Sequence, residues 1–203
     1  MRFSELFREF EKKKIIIFSS RDVEMLFPSE TKSVINISLS RWMKSGKVER
    51  LKKGLYELTY PVKRIIPDMY VANRLYNPSY ISMETALSGY GLIPEVAMAC
   101  ISITTKPTRE FRNSYGLFRY RTVRPSAFTG YRIEKNDQHD ILIAEPEKAV
   151  ADYFYFKKRS GSTGSITHER FDVKKLKKLS RQKLSRYFSL LNMSTQELDH
   201  AFK

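Results

Sequence analysis

This sequence is poor in the residues that build metal and redox sites: of 203 residues, one is cysteine, three are histidine and one is tryptophan. A lone Cys100 excludes an intramolecular disulfide. Its setting in the apolar run VAMACISI reads as a small buried hydrophobe rather than a reactive thiol. His139, His168 and His200 stand far apart, with no cysteine or second histidine at ligand spacing, so no metal site is expected. No apolar run approaches the roughly 20 residues that cross a bilayer, and the densest, Val96 to Ile103, is of strand length. The opening MRFSELFREFEKKK lacks the apolar centre and small-residue cleavage site of a signal peptide. A cytoplasmic protein without membrane contact is therefore expected. A glycine-rich phosphate loop is missing too: GSTGS at 161–165 has neither the lysine nor the preceding strand, and reads as part of a polar loop over 157–168. No cofactor is expected.

What the chain has instead is positive charge. Lysine and arginine number 37 against 22 acids, a net charge of +15, and counterion release rewards such a protein on any polyanion. Residues 1–60 hold 13 cations against 8 acids, 61–150 hold 12 against 9, and 151–203 hold 12 against 5. The excess sits at the two ends. With 41% hydrophobic residues the chain can bury a real core, and its length suits two small domains.

Phe3, Leu6, Phe7 and Phe10 recur at helical spacing and give way to Lys12–Lys14, which predicts a first helix. Ile15 to Phe18 reads as a short strand or link. Ser19 or Ser20 caps a second helix that Pro28 ends. Ser29 or Thr31 starts a third, in which Ile35, Leu39 and Trp42 form a buried stripe and Gly46 stops the chain. VERLKKGLYELT then predicts a β-hairpin with Lys52, Lys53 and Gly54 at its tip. This order is that of a winged helix-turn-helix, assigned to residues 1–60.

Residues 61–203 are expected to form a mixed α+β domain. Helices are predicted over Asp68–Tyr76, Ser82–Tyr90 and from Pro146, and strands over Ala97–Thr104, Gly116–Val123, Tyr131–Glu134 and Asp140–Ala144. A basic helical tail follows over about 170–203, with helices at Val173–Leu179, at Leu184–Leu191 and after Ser194. The aromatics of YFYF and SYGLFRYR sit at core-like spacing rather than as a stacking platform.

A helix entering the major groove needs a polar outward face, because base edges offer hydrogen-bond donors and acceptors. Thr31, Lys32, Ser33, Asn36 and Ser40 supply one. Asn36 is the candidate base reader, since asparagine bonds adenine in bidentate fashion, with Ser33 and Ser40 beside it. Lys32 and Arg41 suit phosphate, and Arg50, Lys52 and Lys53 give the hairpin a reach to the backbone or minor groove. In the tail, Lys174, Lys175, Lys177 and Lys178 are candidate phosphate or partner contacts on a basic amphipathic segment. The plainer reading of either face is solvation.

The stretch ISLSRWMKSGKVERLKKGLYEL is similar to the winged-helix segment of AbiEi-type antitoxins of type IV toxin-antitoxin (abortive infection) systems. ANRLYNPSYISMETALSGYGLIPE and ILIAEPEKAVADYFY resemble segments that follow it in that family. The resemblance covers about residues 1–156. It implies a non-enzymatic repressor that binds double-stranded DNA at repeats in its own promoter, with oligomerisation on DNA a candidate mode. It also implies a second domain that opposes a nucleotidyltransferase-like toxin. Two alternatives stand beside it. One is a metal-dependent nuclease built on Asp140, Glu145, Glu147 and Lys148, although their spacing departs from the familiar Asp, Glu-x-Lys pattern, and acids at a helix start are stabilised by the dipole in any case. The other is a nucleic-acid binder without sequence preference.

Overall fold

The computed structural model describes residues 1–94, 97–136, 139–161 and 171–194. It is a mixed α+β chain that divides into two compact units, Met1–Ile66 and Pro67–Lys203.

The first unit runs α1 (Phe3–Lys12), β1 (Ile17–Ser19), α2 (Ser20–Leu26), α3 (Lys32–Lys44), β2 (Val48–Lys52) and β3 (Leu55–Leu58). The three strands form one antiparallel sheet in the order β1-β3-β2. Of the two serines offered as a cap for α2, Ser19 is the one used: its hydroxyl accepts from the Asp22 amide while the Asp22 carboxylate accepts from the Ser19 amide. Thr31 caps α3 through the Val34 amide. Capping of this kind stabilises a helix by about 0.5–2 kcal/mol over alanine. Leu6 and Phe10 of α1, Val23 of α2, the Ile35–Leu39–Trp42 stripe of α3 and Val48, Tyr56 and Leu58 of the hairpin close on one core.

The second unit contains α4 (Asp68–Leu75), β4 (Ser79–Ile81), α5 (Met83–Gly89), β5 (Cys100–Thr104), β6 (Arg109–Asn113), β7 (Gly116–Thr122), a 3-10 turn (Pro125–Ala127), β8 (Tyr131–Asn136), β9 (His139–Ala144), α6 (Pro146–Arg159), α7 (Val173–Leu176) and α8 (Arg181–Leu190). Its six strands form a mixed sheet, order β6-β7-β5-β4-β9-β8, parallel between β5 and β7 and between β4 and β9. On one face Tyr120 donates its hydroxyl to the Ala72 carbonyl of α4 at 2.6 Å. Also from α4, Asn73 exchanges hydrogen bonds with the Leu142 backbone of β9. On the other face Tyr80 of β4 reaches Asp152 of α6. Cys100 and the aromatics Phe118, Tyr120, Tyr153 and Phe154 are buried, while Tyr115, Tyr155 and Phe156 of the same two runs are half-buried.

Four differences from the sequence reading have physical causes. Strand β4 has three residues, too few to show a period. Strand β6, REFRN, is an edge strand with exposed charges, so it carries no apolar alternation. Helix α6 continues through Lys157, Lys158 and Arg159, placed in a loop by their composition; cations in a last turn complement the helix dipole. Helix α7 ends at Leu176 rather than Leu179, because Ser180 already caps α8 through the Lys183 amide. Of the expected loop, Ser160 and Gly161 form a turn, and positions 162–168 and the helix expected after Ser194 lie outside the described residues.

One glycine is obligatory here. Gly130 has φ +75°, and a Cβ there would stand 2.6 Å from the Tyr187 ring. Gly130→Ala is expected to lower stability by about 1–3 kcal/mol through overpacking alone, read as a drop in the urea midpoint at unchanged slope.

Candidate nucleic-acid interface

Burial of Ile35, Leu39 and Trp42 fixes the rotation of α3 and so decides what it presents outward. Lys32, Ser33, Asn36, Ser40 and Arg41 are all exposed, as is the capping Thr31. Positions 33, 36, 40 and 44 follow i, i+3, i+7 and i+11 and therefore share one stripe, which adds Lys44 to the residues foreseen. Ile37 was missed by the sequence reading. It is 58% exposed, one residue from Asn36 and one turn from Ser33 and Arg41. Its signal was available: an isoleucine out of phase with the core stripe has no structural reason to be apolar. A methyl-bearing side chain on such a face can meet the thymine methyl.

The electrostatics of α3 are one-sided. KSVINISLSRWMK contains no acid, and Lys32, Arg41 and Lys44 make no ion pair among the described residues. Three other cations of the unit are paired: Lys12 with Glu9, Lys63 with Glu49 and Arg64 with Glu11.

The hairpin is short, and its tip is anchored. A bulge falls between Arg50 and Lys52, Gly54 takes the turn at φ +78°, and its carbonyl accepts from the Ser20 amide at 3.1 Å. Arg50 and Lys53 are exposed, whereas Lys52 is half-buried. Of the three cations named for the hairpin, two are thus fully available to a phosphate.

In the second unit three of the four residues of the nuclease alternative are each turned to a different partner. Glu145 accepts from Lys183 Nζ and Tyr187 Oη, both at 2.9 Å. Glu147 accepts from the Ser180 amide, Lys148 pairs with Asp152 in the core, and Asp140 is exposed on β9. Among the described residues no cluster of three or more His, Cys, Asp or Glu side chains could hold a metal ion. Of the tail lysines, Lys175 is a structural residue, donating to the Gly91 carbonyl at 2.9 Å. Lys174, Lys177 and Lys178 are exposed.

The Glu145 site makes the docking of α8 pH-sensitive. Burial pushes this carboxyl up, but the hydrogen bonds from Lys183 and Tyr187 outweigh it and hold it below the ordinary range. Burial and then Glu145 push the Tyr187 hydroxyl up to about 12, so it remains a donor. A carboxyl depressed in the folded state stabilises above its unfolded pKa, and that contribution is lost as pH falls through the folded value. Acidification is therefore expected to accelerate amide exchange in α8, and Glu145→Gln to exchange faster already at neutral pH with less further change on acidification.

No helix among the described residues is long and apolar enough to cross a membrane. No protein-family model and no curated protein matches this sequence. Among solved structures the chain is similar to the RV2827C protein from Mycobacterium tuberculosis, with a TM-score of 0.63 over 98% of this chain and 74% of that one, at 14% identity. At that identity the likeness is one of fold.

Proposed function

We propose that the first unit is a winged helix-turn-helix that binds double-stranded DNA, with α3 as the recognition helix and the β2–β3 hairpin as its wing. The observation that carries this reading is the outward face of α3: an acid-free helix, held by three buried apolar side chains and Ser38, that presents Ser33, Asn36, Ile37 and Ser40 flanked by Lys32, Arg41 and Lys44. Short polar groups near the centre suit base edges, and cations around them suit phosphate. Together with the resemblance of three sequence segments to AbiEi-type antitoxins, this supports a repressor of its own operon whose second unit opposes a nucleotidyltransferase-like toxin.

The wing supplies a test. Arg50→Ala with Lys53→Ala removes two exposed cations, so affinity is expected to fall equally for specific and unrelated duplexes. The slope of log affinity against log salt should become shallower by nearly two. Fluorescence anisotropy of the full chain across a salt series reads both. An unchanged slope would remove the hairpin from the interface.

A further inference from the structure

Strand β8 closes one side of the six-stranded sheet, with no strand beyond it among the described residues. An open edge is a template for pairing with another chain, and sheets commonly blunt it with proline, a bulge or unfavourable charge. YRIEKN contains no proline, and its 6 residues pair with β9 in one unbroken register. Residues 131–135 are exposed throughout, Ile133 to 60%. The opposite edge differs: in β6 the apolar residue, Phe111, is turned against Tyr76 and Tyr120.

The ladder fixes which backbone groups of β8 are open. The Glu145 amide donates to the Gly130 carbonyl, and these two residues continue the β8–β9 register, so they are a hydrogen-bonded pair. In an antiparallel ladder such pairs alternate with pairs that exchange no bond. Arg132 and Glu134 therefore direct their amides and carbonyls to β9, whereas those of Tyr131, Ile133 and Lys135 point outward. The Leu142 backbone, opposite Ile133, has the matching phase: it turns away from β8 and bonds Asn73. None of the outward groups has a partner among the described residues.

We infer that β8 pairs antiparallel with β8 of a second copy of this chain, across a twofold axis at Ile133. Outward residues must face outward residues for bonds to form, which leaves few registers. With Ile133 opposite Ile133, Tyr131 stands opposite Lys135, and every outward amide and carbonyl of the strand finds a partner. Arg132 then stands opposite Glu134 on both sides of the axis. These two share a sheet face, where they already form an ion pair within the strand, so across the axis the side chains make a ring of alternating charge. Slipping one allowed step either way puts Arg132 opposite Arg132 or Glu134 opposite Glu134 and leaves outward groups unpaired. Opposite charges directly across a ladder stabilise it and like charges destabilise it. The charge pattern that would repel other strands thus selects one self-pairing, in which the exposed isoleucines also meet. A single strand pair is smaller than a standard interface, so the dimer is weak. It needs no DNA, and stands or falls independently of DNA binding by α3.

Sedimentation equilibrium of the full chain tests this, at about 0.3 M salt to screen the self-repulsion of a chain of charge +15. Between about 5 and 500 μM the wild type is expected to pass from monomer towards dimer. Arg132→Glu and Glu134→Arg should each weaken self-association about tenfold or more, since each sets like charges across the axis. An equimolar mixture of the two variants should associate at least as tightly as the wild type, because every cross-axis pair is then of opposite sign. That restoration reads the pairing itself and not the fold of either variant. Ile133→Pro is a second probe: the amide it removes bonds nothing within the chain, so pairing with β9 survives while self-association is lost. In the dimer the amides of Tyr131, Ile133 and Lys135 should also exchange more slowly than in the monomer. A monomer over the whole concentration range, association that leaves these amides unprotected, or a mixture that fails to restore it would overturn the proposal.

Discussion

Asp152→Ala is expected to destabilise the second unit by about 3–5 kcal/mol, the cost of leaving a buried charge without its partner. The Asp152 carboxylate is fully buried and collects three donors: the Lys148 ammonium, the Tyr80 hydroxyl at 3.1 Å and the Ser82 hydroxyl at 2.8 Å. Alanine strands all three at once. Lys148→Met should cost less, because the carboxylate keeps Tyr80 and Ser82. Urea titrations of the variant and the wild type at neutral pH read the loss. Equal stability of Asp152→Ala and wild type at neutral pH would contradict this account of the network. Burial, followed by Asp152, pushes the Tyr80 hydroxyl well above its ordinary range, so it remains a donor throughout.

The second large effect belongs to α3. Asn36→Ala is expected to narrow the affinity gap between a specific and a scrambled duplex by about 1–3 kcal/mol, the worth of one bidentate base contact. Stability should hardly change, because Asn36 is exposed and makes no tertiary bond among the described residues. Ile37→Ala is expected to act in the same direction and less strongly, and only at an operator position occupied by thymine. Both are read from anisotropy titrations at fixed salt, since affinities at different ionic strengths are not comparable.

How much of this could be read from residues alone depended on how many of them had to cooperate. Helix α3 was legible because Ile35, Leu39 and Trp42 mark its inner face locally, and its outer face follows by subtraction. Ile37 escaped because the outward face was collected from polar residues alone, and an apolar side chain on that face was not looked for. Strands β4 and β6 escaped because one is too short and the other too charged to show a period. The meeting of Glu84, Arg121 and Arg159 around one cleft was not legible at all, since it needs the register of β4, β5 and β7 and the packing of α6 on their shared face. The Asp140 to Lys148 group shows the converse. These residues are neighbours in sequence, yet the turn from β9 into α6 sends Glu145 to Lys183, Glu147 to Ser180 and Lys148 into the core.

The central claim is that α3 reads sequence in double-stranded DNA. Its most direct test is a paired titration of the full chain, and of Asn36→Ala, against the duplex upstream of its own coding region and a scrambled duplex of equal composition at physiological salt. The wild type is expected to bind the upstream duplex more tightly, and Asn36→Ala to show a smaller difference with affinity for the scrambled duplex nearly unchanged. Equal affinity of the wild type for the two duplexes would contradict it.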